Sequence, residues 1–267
     1  MNQASPTKLW KALHDLAEGA TSIHVWPMLA WQEIRQRYRR SVLGPFWLTI
    51  STGALLGGMG PLYGKLFGQD LGSYFPYLSI GYVLWLLISG LVNEGCAAFT
   101  VAAGLIQQTP MPLSVHVLRV VFRNLIVFAH NLIILAILLF IFPPHMSWNL
   151  LLAPLGVLMI ALNGAWLGLL VGLLCARFRD IPLIIQSVMQ VAFFLTPVMW
   201  HANSLGRFKW AADLNPLTHF LATVRDPLLG LPVPWHSWAV VLGVTVLGCA
   251  MALGFFVRFR ARIAYWV

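Results

Sequence analysis

The chain has 267 residues, of which 59% are hydrophobic and only 9% charged, and its formal net charge is +9. Soluble domains carry about 25% charged residues, so this composition excludes an ordinary soluble enzyme or binding module and points to a membrane protein. On a soluble chain the positive charge would suggest nucleic acid; here the basic residues cluster at the ends of apolar runs, and no nucleic acid is expected.

Residues 1–41 form the first region, expected on the cytoplasmic side. The opening MNQASPTKLWKALHDLAEGATS is polar and lacks an apolar h-region, so no cleavable signal peptide is expected. The following stretch, IHVWPMLAWQEIRQRYRR, places Ile23, Trp26, Ala30, Ile34 and Tyr38 at three- and four-residue spacing. Glu33, Arg35, Arg37 and Arg40 lie elsewhere around the same helix. Such a basic amphipathic helix lies in the membrane interface, where Trp and Tyr sit well and Arg meets anionic headgroups. It is either a plain anchor or a platform that also contacts a cytosolic partner.

Residues 42–267 read as six spans, at 42–67, 74–92, 113–142, 148–175, 183–201 and 237–257. Crossing a hydrocarbon core about 30 Å thick takes about 20 apolar residues. The first span contains GGMGPLYGKL at 57–66, a distant approach to a phosphate-binding loop. Its glycine spacing is wrong, and Leu66 stands where Ser or Thr should hold magnesium. If the protein moves something uphill, another polypeptide is expected to supply the nucleotide hydrolysis, and no cofactor is expected on this one. In the second span Tyr74, Tyr77, Gly81, Trp85 and Ser89 share a face. The third follows Pro110 and Pro112 and carries Arg119 and Arg123 one turn apart, so its first turns are expected to project into the cytoplasm. His130 and Asn131, in its middle, read as polar glue between helices.

Between the fourth and fifth spans the chain reads CARFRDIP, residues 175–182, a short charged tract between two apolar walls. It is either a turn whose arginines set topology or a contact for something in the cytoplasm. In the fifth span Gln186, Gln190, Phe193 and Pro197 share a face, with Phe194 beside them. Lipid cannot satisfy those amides, so they either pack helices or line a pathway. Rings with sparse amides would suit sugars, which offer C–H faces for stacking and hydroxyls for hydrogen bonds. The outer loop, 201–238, holds Asn215-Pro216 and Asp226-Pro227 turns around LTHFLATVR, helical in period but too short to span. A pair of short surface or re-entrant helices is expected there.

Of the 17 lysines and arginines, only Lys65, Arg207, Lys209 and Arg225 fall on the outer side of this topology. The positive-inside rule then places both termini in the cytoplasm. The eight acidic residues form no close carboxylate pair within a span, and no histidine spacing suits a metal. Cys96, Cys175 and Cys249 read as small buried hydrophobes. Nothing here assembles a catalytic centre or the midplane ionisable groups of an ion-coupled carrier.

Four segments together carry a family likeness: RRSVLGPFW at 39–47, CARFRDIP at 175–182, FFLTPVMW at 193–200 and DLNPLTHFLATVRDPLLG at 213–230. In this order and topology the chain resembles the membrane subunits of ABC-2 type exporters, specifically the permeases that export O-antigen, capsule and teichoic acid. The resemblance covers about residues 25–267 and implies an all-α integral membrane protein of the inner membrane. It implies six spans, a cytoplasmic interface helix and two short outer helices between spans five and six. It also implies a homodimer bound to two copies of a separate ABC ATPase, which binds the ATP.

On that resemblance CARFRDIP is a coupling segment, with Arg177, Arg179 and Asp180 seated on the ATPase and Arg35, Arg37 and Arg40 assisting from the interface helix. The first, second and fifth spans of two protomers would face a central conduit lined by Tyr63, Tyr82, Trp85, Gln186, Gln190, Phe193 and Phe194. The expected cargo is a lipid-linked polysaccharide, O-antigen first. The alternatives are another cargo of the same architecture (capsule, teichoic acid, lipid or drug) and a stand-alone membrane enzyme acting on a lipid-linked sugar.

Overall fold

A computed structural model describes residues 7–39, 41–44, 46–143 and 147–267. Among these the chain is helical throughout, with no strand. The N-terminal region folds as α1 (Lys8–Thr21) and α2 (Val25–Arg37), and the bundle begins with α3 (Phe46–Leu66), α4 (Leu71–Cys96), a short α5 (Ala103–Gln108) and α6 (Ser114–Ile141). There follow α7 (Ala153–Arg177), α8 (Ile181–Leu195), the short α9 (Lys209–Asp213), α10 (Pro216–Leu228), α11 (Trp235–Phe259) and α12 (Ile263–Trp266).

Among the described residues four helices are long and apolar enough to cross a membrane: Leu71–Cys96, Ser114–Ile141, Trp148–Arg177 and Trp235–Trp266. The expected first and fifth spans correspond to α3 and α8. In α3 the apolar run is diluted by Gly53, Gly57, Gly58, Gly60 and Gly64, with Pro61 inside the helix. At 1.5 Å per residue, the 15 residues of α8 reach only about 22 Å. The helix expected to continue to residue 201 stops at Leu195, because Pro197 disfavours the helical conformation of the residue before it.

Local chemistry sets the other boundaries. Asp70 accepts the Ser73 amide at 3.1 Å to start α4, and Asn215 accepts the Leu217 amide at 3.0 Å to start α10, with Pro216 at the first helical position. At the centre of the bundle stands α4, against which α3, α6, α7, α8 and α10 all pack. The approach of α4 to α7 needs glycine: a Cβ on Gly95 would lie 3.1 Å from the Gly168 Cα. The expected pair of short helices is present as α9 and α10. Rather than resting on the surface, α10 is buried from Thr218 to Arg225 and packs on α4, α7 and α11.

The N-terminal region departs from its expected form. The polar opening, given no structural role in the sequence, contains α1, whose Ala12, Asp15 and Gly19 are buried. Asp15 carries the attachment. It accepts the backbone amides of Leu113 at 3.1 Å and Ser114 at 3.0 Å, capping α6, and pairs with Arg260 at 2.6 Å. The expected interface helix is α2, and it docks on the bundle. Ala30 and Ile34 are buried, and Trp26 meets Phe122 of α6 edge-on with ring centres 5.1 Å apart. Ile23 precedes this helix and Tyr38 follows it, so the apolar stripe is shorter than its sequence period suggests.

The Asp15 node gives a test. Asp15→Ala strands Arg260 and two helix-start amides at a wholly buried position, which is expected to cost about 3 kcal/mol. Thermal unfolding in detergent should drop clearly, with early proteolytic release of α1. Arg260→Met should do less, since Asp15 keeps its amide donors.

Candidate functional site

Two adjoining cavities flank α4. The first, about 450 Å³, is lined by Arg37, Asn93, Glu94, Arg119, Arg123, Pro182 and Gln186 among others. Its wall is an ionic cluster that ties three helices together. Arg119 and Arg123 stand one turn apart on α6 and so face the same side. Glu33 of α2 pairs with both, at 2.9 Å from Arg119. Glu94 of α4 accepts from Arg123 at 2.9 Å and from the Asn124 amide at 2.7 Å, and meets the half-exposed Arg37 at 3.5 Å. Arg119 also donates to the Ala98 carbonyl at 3.3 Å. Three guanidiniums face two carboxylates, so the cluster is nearly neutralised from within.

The second cavity, about 430 Å³, runs between α4 and α8. Tyr82, Trp85, Ser89 and Asn93 line it from α4; Gln186, Met189, Gln190, Phe193 and Phe194 line it from α8. Its rings form a cluster: Phe193 lies 5.4 Å from Trp85, 6.3 Å from Tyr82 and 5.4 Å from Phe194, centre to centre. Tyr82, Trp85, Gln186, Gln190, Phe193 and Phe194, expected together from sequence, are together. Tyr63 is elsewhere. It stacks on Phe67 at 5.8 Å, against the cluster of Leu56, Tyr74 and Leu78.

Within this chain α8 is almost bare: Met189 is its one buried residue, while Leu183, Ile184, Val188 and Val191 are all exposed. Its far end is held instead by a clamp on the carbonyls of residues 197–200. The Tyr74 hydroxyl donates to Met199 at 2.7 Å, and the Tyr77 hydroxyl reaches Pro197 at 3.2 Å and Trp200 at 3.0 Å. Arg225, buried, donates to the Pro197 carbonyl at 2.7 Å while its guanidinium lies 4.0 Å from the Tyr77 ring centre. Nothing in the sequence marked Arg225 for this role beyond its place in an otherwise apolar helix.

The residues assigned to coupling fall in distinct settings. Arg179 and Asp180 form an exposed turn between α7 and α8 and make no ion pair among the described residues. Arg177 lies 5.3 Å from the ring of Trp266, stacked on the C-terminal helix. Arg35 is exposed on α2, Arg37 turns toward Glu94, and Arg40 lies outside the described residues. Sequence reasoning missed α5, the short helix in the connection between α4 and α6. It packs against α12, and Gln107 donates to the Val267 carbonyl at 2.9 Å. A six-residue helix gives too little periodicity to be read. No group of three or more metal-ligating side chains occurs among the described residues.

Residues 25–229 match the family model described as ABC-2 type transporter. Among curated proteins, the O-antigen export system permease protein RfbA of Myxococcus xanthus is 24% identical over 177 residues, which is 66% of this chain and 68% of that protein.

The ionic cluster predicts a specific pattern of stability. Arg123→Met leaves Glu33 and Glu94 without their shared partner, an expected loss of about 3 kcal/mol. Adding Glu94→Gln to the same chain should recover part of the lost thermal stability, because Glu94 then carries no unpaired charge while Glu33 keeps Arg119 as its partner.

Proposed function

We propose that this chain, which belongs to the ABC-2 type transporter family, is the permease subunit of an exporter that carries a lipid-linked polysaccharide, O-antigen first among candidates, across the inner membrane. The family makes it a multi-pass membrane component of a transporter, served by an ABC ATPase. In our reading two copies assemble with two ATPases, α3 and α8 complete a set of six spans, and both termini are cytoplasmic. ATP binds to the partner, and this chain needs no cofactor.

The observation that carries the reading is the groove between α4 and α8. A polymer longer than the bilayer is thick cannot be enclosed and released like a small solute. It needs a continuous path that holds successive sugars weakly. Trp85, Phe193 and Phe194 offer faces for stacking without fixing a register, and Gln186 and Gln190 make no hydrogen bond among the described residues, leaving their amides available. Charge in the path would pin a cargo; the charged side chains lie in the neighbouring cavity and are paired there.

The bare faces of α8 support a second copy as neighbour, since a helix with so little cover in its own protomer leaves the groove open on one side. On the cytoplasmic side of this topology the Arg179–Asp180 turn and α5 offer two exposed segments for the ATPase. The turn leads directly into α8, so a pull on it would tilt one wall of the groove. Charge-assisted contacts from Arg179 and Asp180 would be stronger than neutral hydrogen bonds.

Purified alone, the chain is expected to hydrolyse no ATP, with activity appearing on co-purification with its ATPase. Arg179→Glu combined with Asp180→Arg should uncouple export or release the partner while insertion stays intact; export at the wild-type rate would remove this turn from the coupling route and leave α5. Phe193→Ala should slow polymer export several-fold in an assembled complex, as expected from losing aromatic contacts worth about 0.5–1.5 kcal/mol each. Cysteines at 186, 190 and 193 that stay closed to aqueous thiol reagents during export would show that these residues only pack helices.

A further inference from the structure

One residue belongs to both cavities from the α4 side and one from the α8 side. Asn93 and Gln186 each line the ionic cavity and the aromatic groove, so together they mark the join between the two. The Oδ1 of Asn93 is buried and finds no hydrogen-bond partner among the described residues. Buried polar side-chain atoms nearly always have a partner, and one without calls for an explanation.

The next residue supplies part of it. Glu94 is held by Arg123 at 2.9 Å and Asn124 at 2.7 Å. That turn of α4 is therefore fixed from behind. The Asn93 side-chain carbonyl is an unused acceptor beside a passage, covered in this structure.

We propose that Asn93 is a cargo-contacting residue at this join, accepting hydrogen bonds from the hydroxyl groups of the passing polymer with the Gln186 amide opposite. The proposal rests on the polysaccharide reading and names a contact within it. The chemistry selects the ligand class. An amide oxygen without a donor repels an anion. A free cation would sit beside Arg37, Arg119 and Arg123, which line the same cavity. A neutral hydroxyl suits both sides of the gap, since it donates to Asn93 and can still accept from Gln186. Amides on two different helices also make the contact sensitive to how far α8 stands from α4, so it forms only at spacings that uncover the Asn93 carbonyl.

The test uses the co-purified permease–ATPase complex in inside-out vesicles, from cells that make their surface polysaccharide and from cells blocked at its first sugar transfer. A maleimide reagent reports on Asn93→Cys and, separately, on Phe193→Cys. Both sites should label in vesicles without polymer, and labelling at both should fall several-fold when polymer is present. Protection at Phe193→Cys with none at Asn93→Cys, or an Asn93→Cys that never labels, overturns the assignment of Asn93 and leaves the groove intact. Protection at neither overturns the polymer reading and this contact with it. A companion pair guards against a purely structural role: Asn93→Gln keeps the amide and should sustain export, while Asn93→Leu, of similar size without it, should slow export several-fold. Equal effects from the two, in complexes that assemble equally, would make Asn93 a packing residue.

Discussion

A polar group surrounded by hydrocarbon can be satisfied only by other protein groups, and that constraint arranges this bundle. The arginines it buries do not stand free among the apolar helices. Arg123 bridges Glu33 and Glu94, Arg260 reaches Asp15, and Arg225 donates to the Pro197 carbonyl. Each of these contacts joins segments that apolar packing alone would hold loosely. Asp15 fastens α1 to the start of α6, Glu33 fastens α2 to α6 and, through Arg123, to α4, and Arg225 fastens the chain that follows α8. Buried pairs of this kind add little net stability over apolar packing, but breaking one is costly. They act here by fixing position.

What they leave unfixed is α8. It is too short to cross hydrocarbon at full thickness by itself, it buries one residue, and its outer faces are apolar. The exposed turn at 178–180 enters it, and the carbonyl clamp on residues 197–200 terminates it. Between those two points its contact with α4 is made through rings and amides rather than ion pairs. The groove exists because the two helices meet around the aromatic side chains without closing on each other. A helix held at one end, approached from the other and lightly packed between is the part of such a bundle most free to tilt.

The groove was legible in the sequence because helical period alone decides which residues share a face. Tyr82, Trp85 and Ser89 recur at three and four along α4, as do Gln186, Gln190 and Phe193 along α8, and amides in an apolar helix point to a polar neighbour. Tyr63 was not legible in the same way. The many glycines of α3 leave it without a distinct face, and packing on Phe67 and the Tyr74 cluster decides its direction. Sequence adjacency misled at the charged tract: Arg177 and Arg179 look equivalent, yet Arg177 stacks on Trp266 at the far end of the chain. Long-range ties made by single residues, such as Asp15 to Ser114, leave no periodic trace. Pro197 did carry a signal, and the helix ahead of it ends where the restriction on its preceding residue requires.

Consecutive residues on a helix point about 100° apart, and at 93 and 94 of α4 that rotation separates two kinds of chemistry. Glu94 turns into the ionic cluster; Asn93 lines both that cavity and the groove toward α8. The strong interactions are thus kept one residue behind the weak ones. If they shared a face, a charged side chain would stand in the path and hold whatever passed. One residue on, the same charges hold the turn of α4 that carries Asn93. Because Glu94 is linked through Arg123 to Glu33, a displacement of α2 relative to α6 acts on α4 at the turn that presents Asn93. Helix α2 therefore has a short physical link to the α4 wall of the groove, separate from the one that runs through the turn ahead of α8.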